Sequence, residues 1–247
     1  MNTNRQTTVI KGNNKESKTK ITASTLMRLA SLAAMLAGLC YIVVGIFHPA
    51  NVPSSVTTPT WAIVHVFAMA MCFFGLFGMT GLYARQVEKA GWLGLAGFVM
   101  LSLWLTLVMG FSFVETLILP QLATELPTFA DGFVGMFAGS ASEMNLGALP
   151  TLWTISGPLY MLGGLLFGIA TFRAGILSRW AAGILAAGTS LAPVAALLPS
   201  DREGIVAVPV GLALAWLGYA LLSERRKSSS ESLLDQRTAK PELSKVA

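Results

Sequence analysis

Both histidines of this 247-residue chain fall in one stretch, "GIFHPANVPSSVTTPTWAIVH", residues 45–65. His48 stands near its start and His65 closes it, and Glu115 follows a run without charge from Ala90 to Val114. Two imidazoles and a carboxylate admit four readings. They can relay protons, because imidazole titrates near neutral pH. They can hold a divalent metal, zinc being the natural ion for this donor set. The imidazoles alone can ligate haem from both faces, although Pro49 and the helix-end position of His48 count against it. Or they cap and cross-link helices, His to Glu or to a loop carbonyl. An ionisable side chain at membrane depth is costly to leave unpaired, which makes His48, His65 and Glu115 candidates for one shared site.

A second polar group lies in "TLWTISGPLY", residues 151–160. Pro158 removes a backbone donor and frees the carbonyl of Thr154, while Thr154, Ser156 and Tyr160 bring hydroxyls to the same half of the segment. Broken, hydroxyl-lined helices can line substrate cavities. They also occur as plain kinks satisfied by neighbouring helices. Pro193 and Pro209 raise the same question further along the chain.

The elements that must position these residues are apolar. Hydrophobic residues make up 54% of the chain and charged ones 12%, against about 25% charge in soluble domains, and the mean hydropathy is +0.65. Six segments are long enough to span a bilayer as helices: 26–47, 61–83, 92–116, 150–172, 180–198 and 205–223. All Lys and Arg except Arg202 then fall on one side, which the positive-inside rule assigns to the cytoplasm together with both termini. The opposite side carries Glu115, Glu125, Asp131, Glu143, Asp201 and Glu203 at or near it. The expected fold is all-α, a polytopic six-transmembrane-helix bundle over 25–223, with disordered cytoplasmic tails at 1–24 and 224–247. The run "LAGLC" (36–40) lacks the small residue a lipoprotein box needs before its cysteine, so the first helix is expected to stay uncleaved.

Between spans three and four, Phe129, Phe133, Met136 and Phe137 share one helical face. This predicts a short amphipathic helix over 129–138, started by a Thr128–Asp131 capping box and stopped at Gly139. Lying at the outer surface, it would seal the bundle or act as a lid. Gly75, Gly78 and Gly81, and Gly164 with Gly168, are spaced for close helix packing.

Other machinery is missing. There is no GxxxxGK[ST], HExxH, GxSxG, HxxxH or TVGYG motif, and Cys40 and Cys72 sit singly in apolar runs. The distribution of the net charge of +5 points to anionic lipid headgroups at the basic tails and not to nucleic acid.

"HP" at 48–49, "WAIVH" at 61–65, "GLYARQ" at 81–86 and "FVETLILPQLA" at 113–123 together resemble uncharacterised multi-span membrane proteins predicted from many bacterial genomes. That resemblance, covering about 26–223, implies a bacterial inner-membrane location and a six-helix unit, and it implies no chemistry. The expectation is a small transport or permeation-type protein with an outward-facing polar site at His48, His65, Glu115, Thr154, Ser156 and Tyr160. The lipid bilayer, with anionic headgroups at the basic tails, is its expected partner, the oligomeric state is left open, and no resident cofactor is expected unless zinc or haem occupies the histidines. A structural or assembly module is the alternative, and a metal-dependent membrane enzyme the third reading.

Overall fold

The computed structural model describes residues 21–195, 197–198 and 202–239, and among these every regular element is helical. In chain order they are α1 (Ala23–Phe47), α2 (Pro53–Val56), α3 (Pro59–Phe113), a π-helical turn (Val114–Ile118), α4 (Leu119–Glu125), α5 (Pro127–Phe137), α6 (Leu149–Ala174), α7 (Arg179–Thr189), α8 (Ala192–Ala195), a 3₁₀ turn (Glu203–Ala207) and α9 (Val208–Ala239). Four helical stretches are long and apolar enough to cross a membrane: Ala23–Phe47, Pro59–Glu125, Leu149–Ala174 and Glu203–Glu224.

The second stretch is a hairpin. Gly91 alone leaves helical geometry, at φ 55° and ψ −153°, a conformation that only glycine adopts without strain. The arms 59–90 and 92–113 therefore fold back on one another: Gly75 faces Leu105, and Tyr83 stacks on Phe98 with ring centroids 5.0 Å apart. The expected boundary between spans two and three is thus one residue wide, with helix on both sides.

Neighbouring helices run antiparallel and approach through small residues. A methyl group added at Gly78 would sit 2.6 Å from Ala34 Cα, at Gly97 2.8 Å from Phe167 Cα, and at Gly211 2.7 Å from Gly38 O. Such contacts hold backbones closer than any larger residue allows, and van der Waals packing is the main attraction between helices in lipid. Gly78, Gly81, Gly164 and Gly168 lie at close contacts with a neighbouring helix, as their spacing predicted, while Gly75 meets the Leu105 side chain across the hairpin. Contacts run from α1 to the first arm of α3, from α3 to α6, then to α7, to α9 and back to α1, closing a ring. Its centre holds Leu101, Leu105, Phe167, Leu185, Leu217 and Leu221.

The stretch expected as a fifth span, 180–198, is not one helix. Ser178 caps α7 by accepting from the Ala181 N–H, but α7 ends at Thr189 after 11 residues, and only the four residues of α8 follow. At about 1.5 Å per residue, α7 reaches roughly half the thickness of a hydrocarbon core. Pro209 is no kink, because it stands in the first turn of α9, where its missing N–H has no helical partner to lose. The C-terminal tail, expected to be irregular from residue 224, continues as α9 to Ala239. The rest of both tails, 1–20 and 240–247, lies outside the described residues.

The outer amphipathic helix exists as α5, two residues earlier than expected. It starts from Pro127 without a side-chain cap, so the Thr128–Asp131 box does not form. Its end is as predicted: Gly139 has φ +74°, with Ser140 N–H bonded to Gly135 O and Gly139 N–H to Met136 O. Phe133 is fully buried against Phe111, and Phe137 meets Trp153 edge-on at 4.6 Å. α5 therefore covers one side of the bundle's mouth.

Candidate functional site

The site begins with the first turn of α3. Thr58 caps it by accepting from the Trp61 N–H, and its own hydroxyl donates to Ser55 O. Trp61 is thereby turned inward, fully buried, with its indole N–H donating to the backbone carbonyl of Glu115 at 2.8 Å. That carbonyl is free for a reason visible in the sequence. In the π-helical turn, Leu119 N–H bonds to Val114 O, one residue further back than in an α-helix. The next residue that could serve Glu115 is Pro120, which has no N–H. Proline and π-turn thus leave one carbonyl open, and Trp61 fills it. π-turns of this kind are frequent at functional sites.

One turn along α3, His65 is 1% exposed and packs tilted against Trp61, with centroids 4.3 Å apart. Its Nδ1 lies 2.7 Å from Trp61 O. A carbonyl can only accept, so Nδ1 carries a proton and the tautomer is set. Nε2 then faces Glu115 Oε2 at 3.3 Å, off the line of an aligned hydrogen bond. A carboxylate does not sit against an imidazole lone pair without a proton between them. The pair therefore holds one proton, as imidazolium with carboxylate or as imidazole with carboxylic acid, and is neutral either way. Glu115 itself is 6% exposed.

His48 joins from the end of α1. The helix stops there because Pro49 follows, and His48 takes extended backbone angles as the cap. Its Nδ1–H donates to Pro49 O at 2.7 Å, and its ring meets the edge of His65 at 5.0 Å between centroids. Burial, and then the nearness of His65, pushes the His48 imidazole below its ordinary range, so it is neutral at neutral pH.

These three side chains line a cavity of about 310 Å³ at the end of the bundle where α1 stops and α3 begins. Tyr41, Trp104, Phe111 and Trp153 form its aromatic wall, and Glu203 adds a second carboxylate. Beneath it lies an apolar void of about 30 Å³ between Tyr41, Leu105, Tyr160 and Leu185.

The expected set therefore divides. His48, His65 and Glu115 come together. Thr154 is exposed and bonds Pro150 O at 2.8 Å; Ser156 is buried but bonds Trp153 O at 2.7 Å. Tyr160 lies deeper, against Trp104 and the small void. None of these three lines the outer cavity. Tyr41, Trp104, Trp153 and Glu203 are part of it without having been singled out, because aromatic residues in apolar runs resemble ordinary core.

The metal expectations do not fit this geometry. Among the described residues no three His, Cys, Asp or Glu side chains are grouped to hold an ion. Nor is there a slot for a porphyrin between imidazoles already in edge contact. No protein-family model, curated protein or solved structure matches this chain.

Proposed function

We propose that this is a six-crossing protein of a bacterial cell membrane, with both termini cytoplasmic, that works as a small transport-type carrier with an outward-facing binding pocket. The antiparallel ring of helices and the one-sided distribution of Lys and Arg support that topology. The broken α7–α8 segment supplies the fifth crossing. The observation that carries the functional reading is the His65–Glu115 pair, buried on a cavity wall. An ionisable pair is costly to bury, and an apolar pair of similar size would pack a bundle as well or better. Its single shared proton offers a means of coupling occupancy of the pocket to protonation. The apolar floor favours a carrier that binds over an open pore.

The test is uptake by the purified chain in proteoliposomes, across a panel of radiolabelled amines, amino acids, sugars and small anions. The wild type should accumulate one class. Glu115→Gln and His65→Gln should lower the rate by at least about tenfold while the protein stays folded. Wild-type rates in both variants, or no uptake of any class by folded wild type, would overturn the proposal. The structural alternative draws on the Trp61–Glu115 hydrogen bond, which ties α3 to its own far end. It requires the same variants to lower the melting temperature with no flux to lose.

A further inference from the structure

The cavity's charge and walls say what it would hold. Of its ionisable groups, the His65–Glu115 pair is neutral with its shared proton, and His48 is uncharged. Glu203, half-buried in the 3₁₀ turn before α9, contributes a negative charge, and among the described residues no Lys or Arg lines the cavity. The pocket therefore carries about one net negative charge inside a largely aromatic enclosure. Aromatic faces attract cations through their quadrupoles, most strongly where water is excluded. The volume, about 310 Å³, is at the small end of ligand pockets, which run from roughly 300 to 1,000 Å³.

We infer that the outer cavity takes a small organic cation, an alkylammonium of about the size of choline, held between Tyr41, Trp104, Phe111 and Trp153 with Glu203 as its counter-charge. The inference rests on the cavity being a binding pocket, and it adds the ligand class. A simple anion would meet the Glu203 carboxylate, and a sugar would find few hydrogen-bonding groups on the aromatic wall.

The experiment is titration calorimetry on the full chain in detergent at neutral pH. The probes are tetramethylammonium, choline and n-butylammonium, set against 3,3-dimethylbutan-1-ol, the neutral carbon analogue of choline. At least one cation should bind saturably, and the alcohol at least about tenfold more weakly than choline. Glu203→Gln, a rim substitution that preserves shape, should close that gap to about threefold or less. Equal binding of choline and the alcohol, lost from both in Trp153→Leu, would overturn the cationic class and leave the pocket standing. So would no binding of any cation while uptake of a sugar or anion is seen. Silence of every probe and of the uptake panel, with the protein folded, would overturn pocket and ligand class together.

Discussion

Two buried polar pairs sit on the α3 hairpin and its neighbours, and they are solved differently. At the outer end His65 faces Glu115 at 3.3 Å. Toward the other end Gln86, 1% exposed, donates through Nε2 to Thr171 Oγ1 at 2.8 Å, joining α3 to α6. Each pair leaves one buried atom without an aligned partner, His65 Nε2 in one and Gln86 Oε1 in the other. The Gln86 pair is neutral at every pH and stands near helices in close glycine contact, which is how polar side chains glue helices in lipid. The His65 pair can ionise and stands beside a cavity. Helix cross-linking accounts for the first pair and does not require the second to be titratable.

The largest expected effect tests that contrast. His65→Ala leaves the Glu115 carboxylate buried without its partner and should cost about 3 kcal/mol at neutral pH. Gln86→Leu should cost about 1 kcal/mol, since the Thr171 hydroxyl can turn to a carbonyl of its own helix. Thermal denaturation in detergent distinguishes them. Equal losses would place both pairs in the same structural role.

Much of this was legible because hydropathy and glycine spacing act locally. Apolar runs long enough to span, and Gly78 or Gly164 at helix-packing intervals, report what lipid and backbone contact demand, whatever the fold. Similar depth in the chain made His48, His65 and Glu115 candidates for one site, but whether they meet was not legible, because it depends on how α1 ends beside the first turn of α3. Nor was the π-turn. It depends on Pro120 withholding a donor from Glu115 and on Trp61, 54 residues away along the chain, supplying one. The break after Thr189 was hidden for a related reason: residues 180–198 are apolar enough to span, and composition does not register where the helix stops. Glu203 looked like an ordinary loop carboxylate until α9 packed antiparallel to α1, with Gly204 against Gly45.

A second effect, somewhat smaller, separates the tightly packed part of the bundle from its slack positions. Gly97→Val forces a side chain against the α6 backbone at Phe167 and should cost about 2–3 kcal/mol. Gly110→Ala meets nothing within 4 Å, so it should be neutral or stabilising by about 0.5–1 kcal/mol from helix propensity. Melting temperatures of the two variants suffice. A harmless Gly97→Val would show that the helices can part there, and the contrast with the outer cavity would lose its basis.

The third effect isolates the turn that carries Glu115. Trp61→Phe removes the indole donor and leaves the Glu115 carbonyl unsatisfied, at about 1–2 kcal/mol. Pro120→Ala restores a backbone N–H where that carbonyl can use it. The two substitutions should therefore couple, with Trp61→Phe costing about 1 kcal/mol less in the Pro120→Ala background. Strict additivity would mean that the indole and Pro120 do not act on the same carbonyl.

The smallest effect is a slope, and its sign follows from His48. Its imidazole titrates lower in the folded protein than in the unfolded chain, because burial and the nearby His65 disfavour its charged form. Between that lowered value and about 6.5, the unfolded chain binds more protons than the folded one. Stability therefore falls as pH drops below about 6.5 and continues to fall until the folded-state value is passed. His65 and Glu115 stand beside His48, so the informative quantity is the difference between wild type and His48→Gln across that window. The variant should show a shallower loss of melting temperature toward acid. An identical slope would mean that His48 is as easily protonated in the fold as in the open chain. The cavity would then gain a positive charge in mild acid, and that charge would oppose an organic cation bound beside it.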